Sequence, residues 1–293
     1  LLLQLCNQQN QKKMRQRKTW LVTGASKGIG LTLAKQLLGQ GYNVAATSRD
    51  LHSLTAVLGE KSGQFLPLTM DLTNESDVAE KLQMAISHFG SVDVVVNNAG
   101  YGLMGGLEEL TDAEGRANFE VNVFGMLNVI RHILPHLRAN NNGHIFNISS
   151  IGGFNGGFPA FGIYCATKFA VSGLTESLFH EVKPFGIDVT LVMPGYFRTN
   201  FLSEGSIVKP QTEIEAYQNV RAVQKSHLDE INTNQPGDPE KAAAALITVA
   251  NVDSPNLNLF LGADAYQLAK DKMELIKADM LAYESLATQT SFE

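Results

Sequence analysis

Tyr164 and Lys168 stand four residues apart in Tyr164-Cys165-Ala166-Thr167-Lys168, about 140 residues after the glycine loop Thr23-Gly24-Ala25-Ser26-Lys27-Gly28-Ile29-Gly30. On a helix this spacing places both side chains on one face, where an ammonium beside a phenol lowers the phenol's pKa. A free tyrosine, with a pKa of ~10, ionises too reluctantly for efficient proton transfer near neutrality. Such pairs are also common on surface helices. The pair therefore takes its meaning from the residues that accompany it.

The glycine loop follows a predicted strand and opens a predicted helix, the context in which a backbone can approach a pyrophosphate and a helix N-terminus can favour its charge. Its spacing, Gly24-x-x-x-Gly28-x-Gly30, departs from G-x-G-x-x-G, and glycines at such a turn can also serve tight packing alone. The second strand ends in Thr47-Ser48-Arg49, without the carboxylate that holds a ribose 2′-hydroxyl in NAD-specific sites. Arg49 and Lys27 could instead hold a 2′-phosphate through charge-assisted hydrogen bonds, which points to NADP. The alternative is a pair of ordinary solvated charges, and Asp50 beside Arg49 would weaken the first reading.

These residues need elements to position them. From Thr19 onward, short β-branched runs alternate with amphipathic stretches, the signature of repeated βαβ units in a doubly wound parallel sheet with helices on both faces. Seven strands are expected, over residues 19–23, 43–47, 64–68, 92–96, 144–148, 187–193 and 257–261. Runs such as Val92-Asp93-Val94-Val95-Val96 suit strands covered on both sides. Helices are expected over 28–38, 75–88, 122–138, 160–182, 239–250 and 264–287. Residues 1–18 read as a flexible leader, and 19–293 as a single catalytic domain. Within it, the polar, Gly- and Pro-containing connection around 196–238 reads as a substrate lid.

With 23 Lys and Arg against 29 Asp and Glu, the formal net charge of −6 offers no attraction to nucleic acid or anionic lipid. No run reaches the ~20 apolar residues of a membrane span. Two cysteines, Cys6 and Cys165, give no disulfide framework, and a cytoplasmic setting is expected. His132 and His136 share a helix face, but no third ligand joins them, and no metal is expected. Tyr101, Met104, Phe154, Phe158, Phe161, Tyr196, Phe197 and Phe201 fall near the predicted site and are candidates for an apolar pocket or for ordinary core.

Taken in order, Thr23 to Gly30, Asp71, Asn97-Asn98-Ala99-Gly100, Asn122, Ser150, Tyr164-x-x-x-Lys168 and Pro194-Gly195 resemble the motifs of the short-chain dehydrogenase/reductase family, over roughly residues 19–265. The resemblance implies a Rossmann-like sheet, a bound NAD(P), and metal-free interconversion of alcohols and ketones. It implies Tyr164 as general acid/base, Lys168 as its electrostatic partner and anchor of the nicotinamide ribose, and Ser150 as hydrogen-bond donor to the substrate oxygen. Asn122 would bend its helix and hold a water in a relay through Lys168. Ser150 precedes Tyr164 by 14 residues, where many relatives have thirteen, so Ser149 is a second choice.

For the cofactor, the resemblance implies contacts from Gly24, Ser26, Lys27, Gly28, Ile29, Gly30, Ser48, Arg49, Asp71, Leu72, Asn98, Ala99, Gly100, Pro194, Gly195 and Thr199, besides Tyr164 and Lys168. The expected activity is NADP-dependent carbonyl reduction, or the reverse oxidation, of an apolar small molecule by a homodimer or homotetramer. The alternative is a catalytically idle NADP-binding regulatory protein.

Overall fold

A computed structural model describes residues 18–203 and 205–292. The expected leader, with Cys6, lies outside the described residues except for Lys18. That residue is tied to the domain: its carbonyl accepts from the Asn43 amide at 3.3 Å and its Nζ donates to the Ala250 carbonyl at 2.6 Å.

The strands are β1 (Thr19–Val22), β2 (Asn43–Ser48), β3 (Phe65–Thr69), β4 (Val94–Asn97), β5 (Gly102–Leu103), β6 (Gly143–Ile148), β7 (Ile187–Pro194), β8 (Ile207–Val208) and β9 (Asn258–Leu261). Seven form one sheet in the order β3-β2-β1-β4-β6-β7-β9, with every pair parallel, as the alternating sequence pattern predicts. The short β5 and β8 pair separately at the edge of the site.

The helices are α1 (Gly28–Gly39), α2 (Leu51–Leu58), α3 (Glu75–Phe89), α4 (Asp112–Phe119), α5 (Gly125–Asn140), α6 (Gly162–Val182), α7 (Gln218–Lys225), α8 (Pro239–Val249) and α9 (Ala263–Ala287). The two-residue period of the strands sends alternate side chains to opposite layers. Leu21, Ala45, Val95 and Ile145 meet α3, α5 and α6 through Leu82, Ile133 and Val171. Trp20, Val44, Val94 and Phe146 meet α1, α2 and α8 through Leu33, Leu54 and Leu246. This two-sided burial explains the continuous apolar runs.

Three helices are absent from the sequence reading. In α2, only Leu54 is buried, and in α4 only Asn118, so neither writes an apolar period. What starts them is capping: Asp50 accepts from the His52 and Ser53 amides, and Thr111 and Glu114 form a reciprocal capping box. The third, α7, belongs to the segment 196–238. That segment carries a turn at Asn200–Leu202, β8, α7 and a π turn at Ser226–Ile231, and it buries Leu202, Ile207 and Val220 against Met104, Phe161 and Tyr164.

Because β2 and β3 lie on one side of β1 and β4, β6, β7 and β9 on the other, the connections at the carboxyl ends of β1 and β4 part company. A crevice opens there.

Candidate active site

The crevice is a continuous cavity of about 610 Å³ across the carboxyl ends of the central strands. At one part of its wall lies the glycine loop. Gly24 and Gly28 have φ of +65° and +60°, the left-handed region that favours glycine. A Cβ on Gly24 would stand 2.8 Å from the Ala99 Cα, and one on Gly30 would stand 2.7 Å from the Gly24 carbonyl oxygen. Around Gly28 the nearest atom is Thr199 Cβ at 3.7 Å, so this glycine leaves its backbone open to the cavity. The loop thus offers bare backbone at a helix N-terminus, which fits a pyrophosphate.

Asn98 stabilises this loop: its Nδ2 donates to the carbonyls of Thr23 and Gly24 at 2.9 and 3.1 Å, while the Asn98 and Ala99 amides donate to Thr23 Oγ1. Its side chain braces the loop, and Asn98, Ala99 and Gly100 all line the cavity. Asn97 turns instead into the sheet, donating to Asn147 Oδ1 at 2.8 Å.

At the end of β2, Ser48 Oγ and Ser26 Oγ are 3.3 Å apart, and Ser48 and Arg49 both line the cavity. Lys27 lies close enough to Arg49 that burial and the guanidinium's charge together lower its pKa. Both Asp50 oxygens cap α2, and among the described residues no ion pair joins Asp50 to Arg49. Asp71 bonds Thr73 through its backbone amide and hydroxyl, at 3.0 and 2.8 Å, shaping the Asp71–Leu72 wall.

The other part of the wall belongs to α6. Tyr164 and Lys168 are both buried there and face the cavity. Lys168 Nζ donates to the Ile148 carbonyl at 2.9 Å, and burial lowers its pKa to about 8. Burial raises the Tyr164 pKa, and the Ser150 hydroxyl partly opposes that rise. Burial is thus the dominant influence on the phenol in the protein alone, and the ammonium is held by a main-chain carbonyl.

Both serines border the cavity, but their bonding differs. Ser149 is buried, with its Oγ donating to the Lys168 carbonyl at 2.9 Å and standing 3.1 Å from Ser172 Oγ, so it pins β6 to α6. Ser150 lines the cavity beside Tyr164 and accepts from the Gly152 amide at 3.0 Å.

Asn122 lies in a π turn, Glu120–Phe124, between α4 and α5. Its side-chain amide is fully engaged: Oδ1 accepts from the Tyr101 amide at 3.0 Å, and Nδ2 donates to the Tyr101 carbonyl and to Thr167 Oγ1. Thr167 in turn donates to the Tyr164 carbonyl at 2.7 Å. From this π turn the Asn122 side chain ties Tyr101 to α6 through Thr167.

Pro194 and Gly195 end β7 beside the cavity. Asp264, unremarked in the sequence, sets their turn: its Oδ2 accepts from the Tyr196 amide at 2.6 Å and occupies the place a Gly195 Cβ would need. Thr199 caps the following turn through the Phe201 amide.

Of the eight apolar candidates, Tyr101, Phe158, Phe161, Tyr196, Phe197 and Phe201 line the cavity. Met104 is fully buried behind it, and Phe154 packs on Phe260, with ring centroids 5.4 Å apart. His227 is a lining residue the sequence did not reveal. Its Nδ1 is 2.8 Å from the Val223 carbonyl, which can only accept, so the neutral ring carries its proton there. Nε2, 2.9 Å from Tyr196 Oη, is then the acceptor of the tyrosine's proton. Glu109, outside the cavity, is also unannounced in the sequence: its buried carboxylate accepts from the Gly106 and Ile214 amides and from Arg221, clasping α7 to the body.

His132 and His136 diverge, one to Glu75 and the other to the Val92 amide. Among the described residues, no group of three or more His, Cys, Asp or Glu side chains is arranged to hold a metal ion. No helix of the described residues is long and apolar enough to cross a membrane.

The family profile described as short chain dehydrogenase matches residues 18–207. An oxidoreductase of Botryotinia fuckeliana is 33% identical over 262 residues, covering 89% of this chain and 94% of the relative. A 3-ketodihydrosphingosine reductase of Bacteroides thetaiotaomicron is 35% identical over 265 residues, covering 90% and 94%. The solved structure of a short-chain dehydrogenase from Streptomyces avermitilis superposes with a TM-score of 0.86 at 35% identity, over 94% of this chain and 100% of that one. Solved relatives carry both nucleotides. A 3-ketoacyl-(acyl-carrier-protein) reductase of Brucella melitensis holds NADH (27% identity, TM-score 0.69, covering 83% and 96%), and a short chain dehydrogenase of Burkholderia cenocepacia holds NADP (26%, 0.69, 91% and 97%). With its parallel sheet, glycine loop and Tyr164–Lys168 pair, the chain belongs to the short-chain dehydrogenase/reductase family of oxidoreductases.

Proposed function

We propose that this oxidoreductase is an NADP-dependent carbonyl reductase acting on an apolar ketone or aldehyde. The observation that carries the reading is a single cavity lined by the cations Lys27 and Arg49, the bare glycine loop, and the group Ser150, Tyr164 and Lys168. The glycine loop would hold the pyrophosphate, Arg49 and Lys27 a 2′-phosphate, and Lys168 the nicotinamide ribose. When bound, the nicotinamide nucleotide supplies the hydride.

The chain's own residues do the rest. Ser150 would donate to the carbonyl oxygen and stabilise charge developing on it. Tyr164, kept protonated by burial, would give that oxygen its proton, which favours the reductive direction. Lys168, charged below pH about 8, would support the loss of the phenolic proton. Cys165 also lines the cavity, and burial pushes its thiol up to about 11.

Six aromatic lining residues support an apolar substrate, with His227, Asn200, Ser206 and Gln235 adding polar groups to the wall. The reaction named for the Bacteroides relative, reduction of a keto compound, is of the same class. The test is NADPH oxidation across aromatic, aliphatic, steroid and sugar-like carbonyls. Turnover of apolar ketones is expected, and activity confined to sugars would overturn the substrate class.

A further inference from the structure

Tyr196 and His227 come from different elements, the chain after β7 and the π turn Ser226–Ile231, yet Tyr196 Oη and His227 Nε2 stand 2.9 Å apart. Each residue is also held from behind. The Tyr196 amide donates to Asp264 Oδ2 at 2.6 Å, and His227 Nδ1 donates to the Val223 carbonyl at 2.8 Å. The pair is therefore fixed in the wall before a ligand arrives, which lowers the cost of binding one there.

The direction of these bonds gives the wall a polarity. A neutral imidazole with its proton on Nδ1 presents only a lone pair at Nε2, so the Tyr196 proton is committed to the histidine. Tyr196 is only partly buried, and both residues line the cavity. Its phenolic oxygen thus has lone pairs to offer a ligand and no hydrogen. The nearby Cys165 thiol supplies at most a weak S–H donor to them. We propose, resting on the carbonyl-reductase reading, that Tyr196 is a specificity-determining residue that accepts a hydrogen bond from a hydroxyl of the substrate. The preferred substrate is then a keto-alcohol, an apolar ketone or aldehyde with a free O–H away from the reacting carbonyl.

The surroundings point to the substrate as the source of that donor. The His227 ring lies 4.9 Å from the Phe161 ring between centroids, Phe161 lies 6.2 Å from Tyr164, and Tyr164 lies 5.7 Å from Phe201. The pair is joined to the proton donor through aromatic rings, and a polar group placed among such rings orients whatever binds. An ether or a second carbonyl in the same place would set lone pair against lone pair and give up its hydration without replacement.

The test is a series of hydroxyketones of one medium-length chain, with the hydroxyl at successive distances from the carbonyl and each paired with its methyl ether and its diketone. At the favoured separation the hydroxyketone should have a KM about three- to tenfold below both partners, the scale of one neutral hydrogen bond. Tyr196→Phe should raise that KM to the level of the ether, with the KM of the ether and the NADPH dissociation constant, read by fluorescence, within about twofold of wild type. His227→Phe frees the Tyr196 proton and should move the preference toward the ether and the diketone, a reversal that lost packing would not produce. Equal KM values throughout the series, a preference that survives Tyr196→Phe, or a Tyr196→Phe enzyme weakened only toward NADPH would overturn the proposal. Calorimetry of the same ligands on the wild-type and Tyr196→Phe chains decides it even where no ketone is turned over, an outcome that would count against the carbonyl-reductase reading alone.

Discussion

Lys168 Nζ donates to the Ile148 carbonyl at 2.9 Å and lies 5.8 Å from the centroid of the Tyr164 ring. The lysine is thus anchored to the end of β6 and faces the phenol at a distance. Burial disfavours its ammonium and brings its pKa to about 8, so the charge is present below that pH and is lost above it. For carbonyl reduction, kcat/KM should be flat from acid to neutral pH and fall as pH rises through about 8. A profile flat to pH 10 would contradict the assignment of that charge to the reaction.

Ser149 and Ser150 should separate stability from chemistry. Ser149→Ala removes buried bonds between β6 and α6 and should cost about 1 kcal/mol, seen as a lower Tm with activity retained. Ser150→Ala should leave Tm unchanged and lower kcat about 100-fold, the scale of a lost oxyanion donor. The reverse pattern would make Ser149 the substrate-binding serine.

Arg49→Ala should raise the KM for NADPH about 10- to 100-fold, the worth of a charge-assisted bond, and leave NADH nearly unaffected. Its carboxylate neighbour Asp50 is committed to capping α2, so the guanidinium is available to a phosphate. Equal effects on both nucleotides would remove the argument for NADP.

His227→Phe keeps a ring beside Phe161, whose centroid lies 4.9 Å from that of the histidine, but leaves the Tyr196 hydroxyl without its acceptor. The KM for ketones should shift several-fold with kcat nearly constant, because the pair lines the cavity wall and is not among the groups assigned to proton transfer. A fall in kcat alone would place His227 in the proton path.

Much of this was legible in the chain because the physics is periodic or local. The central strands write continuous apolar runs, since they are buried on both faces, and Gly24 and Gly30 stand where a Cβ would collide. What escaped depends on contacts across the sequence. Asp264 reaches Tyr196 over 68 positions and Glu109 reaches Arg221 over 112, and no local pattern announces either. The caps at Asp50 and Thr111 were local signals, but α2 and α4 bury too little to show a period. The rise in the Tyr164 pKa was hidden for a related reason: spacing places the lysine on the correct face, while the burial of the phenol exists only in the packed cavity.

The central claim is that Tyr164 donates the proton that completes carbonyl reduction. It is tested most directly by comparing NADPH oxidation by the wild-type chain and by Tyr164→Phe on the same ketone, with NADPH binding followed by fluorescence. Turnover should fall at least about 100-fold while binding stays within about twofold. A Tyr164→Phe enzyme that reduces the ketone at the wild-type rate would contradict the account.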